Sequence, residues 1–489
     1  MKKIGVCLFL AVSLTRLFAQ TNNSAVRPLS LTDCFAEALQ HNLDVQVQRY
    51  APEISLYDLH AAYASYDPTF SLSGQHDHSR PGGLFTNNII PVNNNNTFSS
   101  DIGGSLPTGT TYDLFGNVAD NYGTSPENSG GQIGVKATQP LLKNFWIDST
   151  RLTISIAKNR WQYSEQGLRQ QIITTVTAVE TAYYELIYAR ENVKVEQEAL
   201  TLAETQLGDD KKRTVIGTVA VSGGTLEQDE AQVAQSRANL IAAQNKLSLA
   251  QNTLKSLLTD NYLKWHDVDI EPTATLAAER QLFDLQDSWS KGMTGRPDLL
   301  QARLDLEQQG IQLKYDRNQL FPQLDLVGSY GYNGAGSEYN NTYSQYGTAN
   351  RPFYSYGAQF SIPLGNAKAR NALKISKVTE KTLLLTLKSK EQSAMVAIDN
   401  AVKAAQSAWE SVDATQKART YAEAALNAEQ GKYAAGKSTT FTVLQFQSAL
   451  TTARSNEIRA LADYNEALAT LAQQEGSTLQ RHHLDLEGK

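Results

Sequence analysis

From Ala367 to Gln474 the chain runs without a single Pro, and small residues recur along it at alternating steps of three and four: Ala394, Ala397, Ala401, Ala404, Ala408, Ser411, Thr415, Ala418, Ala422 and Ala425. That heptad spacing puts all of them on one seam of an α-helix, a surface that a neighbouring backbone can approach closely. The pattern breaks at Tyr433-Ala434-Ala435-Gly436-Lys437, where Gly436 suits a positive-φ cap, and helical spacing resumes at Val443, Phe446, Leu450 and Ala453. The stretch therefore predicts a helical hairpin. Its descending arm of about 60 residues, at about 1.5 Å per residue, would be roughly 90 to 100 Å long. A second series, Leu168, Ile172, Thr175, Val179, Ala182, Leu186, Ala189, Val193, Glu196, Leu200, Ala203 and Leu207, breaks at Ile216-Gly217-Thr218 and resumes over Leu226 to Leu258, predicting another hairpin.

Of the 489 residues, 19% are charged and 41% apolar, which fits one long repetitive architecture. The net charge of -6, with no Lys/Arg block, argues against nucleic acid as a partner. Residues 1–19 have the form of a signal peptide, with Lys2 and Lys3 before the apolar run Ile4 to Leu14. Cleavage there would leave Cys34 as the sole cysteine, so no intramolecular disulfide is expected. Beyond the signal no run of apolar residues is long enough for a membrane-spanning helix.

In chain order, Leu31 to Tyr66 predicts one helix, after which the period changes. Phe70, Leu72 and Gly74 alternate with Ser71, Ser73 and Gln75 as in a strand with one apolar face. Asn93 to Asn96 predict the centre of a polar loop. Ser100 to Leu106 and Thr110 to Val118 read as weaker strands around a Pro107-Thr108-Gly109 turn, and Gln132 to Thr138 as another. The order then recurs. Pro297-Asp298-Leu299 corresponds to Leu43-Asp44-Val45 and Pro322 to Pro68 with the same offset (298 − 44 = 322 − 68 = 254), which points to an internal duplication. In the second copy Tyr330, Tyr332, Tyr354, Tyr356 and Phe360 fall on the apolar face of two strands. The first copy spends more residues between its corresponding prolines, a surplus that holds the two extra strand-like pieces. The expected division is a signal over 1–19, a first repeat over 20–258, a linker over 259–295, a second repeat over 296–475 and a tail over 476–489.

Strands of this length with an aromatic apolar face suit a tilted bilayer span, which makes Tyr330, Tyr332, Tyr354, Tyr356 and Phe360 candidates to face lipid. An open sheet edge in lipid costs several kcal/mol per unpaired group, and four or six strands are too few to close a barrel of at least about eight. Several copies must then share one barrel. Three copies would gather 12 or 18 strands and twelve helical arms, giving a fold that is mainly α with a membrane β part. On periodicity alone, a soluble coiled-coil adaptor or scaffold between the membranes is the competing reading.

The chain resembles the TolC-like outer-membrane efflux proteins, over almost all of its mature length. The resemblance rests on Arg296-Pro297-Asp298-Leu299, Leu320-Phe321-Pro322-Gln323-Leu324, Ile362-Pro363-Leu364-Gly365, Thr138-Gln139-Pro140-Leu141-Leu142 and the two glycine turns. It implies a homotrimeric channel-tunnel with a β-barrel in the outer-membrane lipid and an α-helical barrel through the periplasm. The lower end would be closed by inward-coiling helices and opened by a periplasmic adaptor and an inner-membrane pump. In that scheme the turns Ile216, Gly217, Thr218 and Gly436, Lys437 would dock the adaptor. The position of the family's acidic gate pair falls on Thr442 and Gln445, which are neutral here. Carboxylates near the tip come instead from Glu227, Asp229 and Glu230, which read either as pore-lining groups or as a solvated helix face. Tyr433 stands where the family has a latch tyrosine, or simply packs the turn.

No catalytic constellation is present, and neither enzyme activity nor a cofactor is expected. His76-Asp77-His78 has metal-ligand spacing but no further Cys or His near it, and reads as a surface loop.

Overall fold

The computed structural model describes residues 26–80, 93–123, 127–216 and 225–484, so residues 1–19, read as a signal, and Gly217 and Thr218 lie outside the described part. Strand β1 (Val26–Leu29) leads into α1 (Leu31–His41) and α2 (Leu43–Tyr63). Ser30 opens α1 with a capping box: its hydroxyl accepts from the Asp33 N–H at 3.1 Å, and Asp33 accepts from the Ser30 N–H at 3.0 Å. The single helix expected from Leu31 to Tyr66 is thus two helices, divided at Asn42. The backbone there is extended, and the Asn42 carboxamide accepts from the N–H groups of Asp44 and Val45 while donating to the Leu257 carbonyl at 3.1 Å. A buried capping side chain tied to a distant helix end has overridden an apolar period that continues through it.

Next come β2 (Thr69–Ser79), β3 (Asn93–Ser105), β4 (Thr111–Tyr122) and β5 (Asn128–Pro140). The long arms α3 (Ser149–Ile216) and α4 (Thr225–Leu258) form the first hairpin. A connecting region holds α5 (Tyr262–Trp265), β6 (Asp269–Pro272) and α6 (Leu285–Gly295), and β6 pairs in parallel with β1. The second half runs through α7 (Pro297–Asn318), β7 (Gln323–Gly336), α8 (Tyr339–Thr348), β8 (Pro352–Ser361), α9 (Ala367–Ala434), α10 (Thr440–Glu475) and α11 (Thr478–Arg481). Helices α3 and α9 are each 68 residues long, about 100 Å at 1.5 Å per residue. Among the described residues no helix is long and apolar enough to cross a membrane.

Six strands make one antiparallel sheet in the order β2-β3-β4-β5-β7-β8, so the extra hairpin β3–β4 belongs to the sheet. The run Asn93 to Asn96, expected as a loop, begins β3. Asn is a poor strand former, but here His76 and His78 pair across with Asn96 and Asn94 at 2.8 and 2.6 Å, so pairing outweighs propensity. His76-Asp77-His78 accordingly lies within a strand.

The principal core is at the waist, where Cys34, Phe35, Val45, Val176, Val179, Tyr183, Leu186, Leu254 and Ile270 are fully buried between α1, the start of α2, α3, α4 and β6. Arg296 clasps the waist in the second half. Its guanidinium forks onto Asp298 at 3.0 and 2.8 Å and reaches the backbone and side-chain oxygens of Gln474 at 3.0 and 2.9 Å. The extended backbone required before Pro297 aims it there. The start of α7 is thereby fixed to the end of α10.

Candidate functional site

The residues singled out from the sequence fall in two regions: one face of the sheet, and the far ends of the hairpins.

Cross-strand register gathers the apolar positions on a single face: Phe70↔Ile102, Ile102↔Leu114, Leu114↔Val135, Val135↔Tyr330 and Tyr330↔Tyr354 form a continuous row. Tyr332, Tyr356 and Phe360 share that face through Ile133↔Tyr332, Gly328↔Tyr356 and Leu324↔Phe360. Tyr354 and Tyr356 are 74% and 85% exposed, which is far from the behaviour of a core face. Toward the strand ends the same face turns polar at His76, His78, Asn94 and Asn96, so the apolar zone is a belt with an upper limit. The opposite face is wet, with Ser73 against Ser99 at 2.7 Å, Ser329 against Ser355 at 2.6 Å and Gln132 donating to Asn333 at 3.1 Å.

Helix α8, which the sequence reading missed, lies on the apolar face near the upper limit of the belt. Thr342 is buried there, Tyr346 donates to the Asn117 carbonyl at 2.8 Å, and the Tyr339 ring meets Phe98 edge-on at 6.0 Å. Gly131 and Gly334 give it room, since a Cβ on either would come within 2.5 Å of α8 atoms. Tyr339, Tyr343 and Tyr346 recur at steps of four and three, a helical spacing that is the sequence signal for this element.

At the other end, Gly436 (φ 70°) terminates α9, with its N–H donating to the Tyr433 carbonyl at 3.0 Å and the Lys437 N–H to the Lys432 carbonyl at 2.9 Å. Thr439 caps α10 by accepting from the Thr442 N–H at 3.3 Å. Gly436 and Lys437 are exposed at the turn, and Ile216 closes α3. Thr442 is half-buried with its hydroxyl 2.9 Å from that of Thr439, whereas Gln445 is exposed along a groove between α9 and α10 with Thr415, Ala418 and Ala449.

Tyr433 does more than fill the turn. Its hydroxyl donates to Asp210 on α3 and lies 3.0 Å from the Thr440 hydroxyl, which donates to the other Asp210 oxygen at 2.9 Å. Gln206 donates to that oxygen too, at 3.0 Å. The two hairpins are thus joined at their tips through one carboxylate, which reasoning from the sequence missed because Asp210 precedes its turn whereas the acids considered all follow it. The structure also separates those acids. Glu227 and Glu230 are exposed, the latter 3.2 Å from Lys211, while Asp229 is fully buried against Asp210. Burial, then the neighbouring Asp210 charge, pushes Asp229 up to about 7. Glu429, across the tip, is held below the ordinary range by Lys432 and then Ser438.

An exposed aromatic belt on a sheet with two open edges, mounted on hairpins about 100 Å long, is the build of a channel-tunnel subunit. Solved channels share it. The fold matches the outer-membrane channel OprN with a TM-score of 0.69 at 16% identity, covering 91% of this chain and 90% of that one. It matches the CmeC outer membrane channel of Campylobacter jejuni with a TM-score of 0.67 at 15% identity, covering 94% and 90%. Two curated relatives are similar in sequence. The probable outer membrane lipoprotein SilC of Salmonella typhimurium is 21% identical over 293 residues, 59% of this chain and 60% of the relative. The outer membrane protein TolC of Escherichia coli K12 is 23% identical over 318 residues, 63% of each. The alignments thus span less than two thirds of either relative.

The profile of the outer membrane efflux protein family matches residues 35–259 and 292–477, and the chain belongs to that family. It is accordingly a protein of the outer membrane whose helical body extends into the periplasm.

Proposed function

We propose that three copies close one barrel and one helical tunnel, and that the assembly is the outer-membrane exit duct of a tripartite efflux or type I secretion system. The observation that carries this reading is the open six-stranded sheet: an aromatic belt exposed on one face, with β2 and β8 as edges that no strand among the described residues pairs. Three such sheets give eighteen strands, enough to enclose a water-filled lumen, whereas six alone leave edge groups that lipid cannot satisfy. Tyr330, Tyr332, Tyr354, Tyr356 and Phe360 then face lipid, and the serine and asparagine pairs of the opposite face line the lumen.

The helices support the same arrangement. Within one chain α9 buries Ala394, Ile398, Ala401, Val402, Ala405 and Val412, while Ala404, Ser411 and Ala418 of the small-residue seam remain exposed. The exposed half of the seam is where the helix of a second copy packs. Conduction is passive, with the energy supplied by an inner-membrane pump, and no step of chemistry is assigned to the chain. A periplasmic adaptor docks at the turns around Gly217 and Gly436 and shifts the tip from a closed to a splayed packing, for which the Tyr433–Asp210 contact is the part to be broken.

The test is purification from outer membranes in detergent followed by planar-bilayer recording. A heat-dissociable trimer that conducts is the expected outcome; a monomer soluble without detergent overturns the reading.

A further inference from the structure

Within strand β2 the motif His76-Asp77-His78 gains what a loop would not give it. Residues i and i+2 of a strand point to the same face, so the two imidazoles stand side by side, both exposed, at the upper limit of the aromatic belt. Asp77 turns to the opposite face, where Gln75 donates to it at 2.7 Å. The register seats His76 opposite Asn96 and His78 opposite Asn94, and each Nδ1 meets the facing carboxamide oxygen, at 2.8 and 2.6 Å. A carboxamide oxygen only accepts, so each Nδ1 carries the proton and donates it. The lone pair of each neutral ring is then on Nε2.

Histidine ligands are held in this way, with the far N–H on a carbonyl or carboxylate oxygen that fixes the tautomer and aims the ligating nitrogen. We propose that His76 and His78 chelate one divalent first-row transition-metal ion through their two Nε2 atoms, with Asn94 and Asn96 as the residues that orient them. Cu²⁺ is the ion that fits best, since imidazole suits it and it heads the affinity order for such ligands; Zn²⁺ binds the same pair more weakly. An ion with bonds of about 2.0 to 2.1 Å spans at most about 4.2 Å between nitrogens, so the two rings, about 7 Å apart at their roots, lean toward one another on binding.

Water fills the remaining positions. Among the described residues no group of three or more His, Cys, Asp or Glu is placed to hold a metal, and residues 81–92, outside the described part, contain none of these four types. The charges nearest in the register oppose each other: Asp120 shares the cross-strand row of His76 through Asn96, and Arg80 follows two residues after His78. Binding does not depend on the barrel reading; only the placing of three such ions around the outside of a pore does.

The experiment takes the full-length protein in detergent, purified without a histidine tag and stripped by chelator, and titrates it with CuCl₂ by calorimetry and by electron paramagnetic resonance. One Cu²⁺ per chain, coupled to two imidazole nitrogens, is the expected result. His76→Gln and His78→Gln should each weaken binding at least about tenfold, and Asn94→Ala with Asn96→Ala, which keeps both ligands but frees their rings, by about tenfold. Four results overturn the proposal: no saturable binding, a single coupled nitrogen, an affinity unchanged in the double variant His76→Gln/His78→Gln, or an asparagine variant that binds as tightly as the wild type. Bilayer recording of the same preparation keeps the two readings apart. A conducting channel that takes up no Cu²⁺ sinks the metal site alone; a protein that binds Cu²⁺ and never conducts sinks the channel reading and leaves the metal site standing.

Discussion

Helices α3 and α9 are of equal length and occupy corresponding places in the two repeats, yet they use their surfaces in opposite ways. Counted from its first residue, Leu186 of α3 stands where α9 has Ala404 (186 − 149 = 404 − 367 = 37). Leu186 is fully buried in the waist core beneath α1 and α4, whereas Ala404 is exposed. The first copy of the repeat supplies the principal core at the waist, whereas the second, which buries Ala394, Ala401 and Ala405, leaves Ala404, Ser411 and Ala418 exposed among the described residues. In the proposed trimer, the two copies of this element would divide the work of folding and of assembly between them.

The largest effect that would break this contrast is on the α3 side. Leu186→Ala should lower the stability of the solubilised subunit by about 3 kcal/mol, read by chemical denaturation. A loss below about 1 kcal/mol would mean that the waist is not the principal core. On the α9 side Ala404→Leu should leave the subunit fold intact but weaken the trimer by about 2 kcal/mol through overpacking, seen as a lower dissociation temperature on gels. A trimer of unchanged heat resistance would remove the exposed seam from the subunit contact.

The contrast extends to the contact between the tips, where Tyr433 and Thr440 of the second hairpin supply hydroxyls and Asp210 of the first supplies the carboxylate. Tyr433→Phe should shift the tip toward the open state by about 1 kcal/mol, a roughly fivefold rise in open probability in bilayer recordings. No change would reduce Tyr433 to a packing residue. The smallest expected effect sharpens the charge difference: Thr442→Asp with Gln445→Asp should tighten block by a trivalent cation roughly threefold over the weak block expected of the neutral pair. Equal block before and after would place the ion-sensitive constriction elsewhere.

Much of this was legible in the sequence for a physical reason. Helical periodicity over tens of residues is a local signal, and both hairpins follow from it, although it does not say which side of α9 is covered within the subunit: Ala404 and Ser411 of the seam are exposed while Val402 and Val412 beside it are buried. The strands around Pro68 and Pro322 announced themselves by alternation. What stayed hidden depended on contacts made far along the chain. Asn42 divides a helix because of the Leu257 carbonyl, Asn94 and Asn96 join a strand because of two histidines, and α8 forms on glycines of other strands. The tip was half readable: Tyr433 was singled out, but its partner Asp210 lies 223 residues away in sequence, and Asp229 and Glu227 are alike until burial distinguishes them.

The hairpin β3–β4 widens the sheet by two strands and leaves everything on either side of it where it was. Because each strand traverses the layer once, an insertion of two returns the polypeptide to the side from which it left, and α3 still departs toward the same compartment as α2 arrived from. A single added strand would have delivered a 68-residue helix to the wrong side of the membrane. In the proposed barrel of three copies, the circumference can therefore grow only by an even number of strands per chain, and the length of the tunnel below is untouched by it.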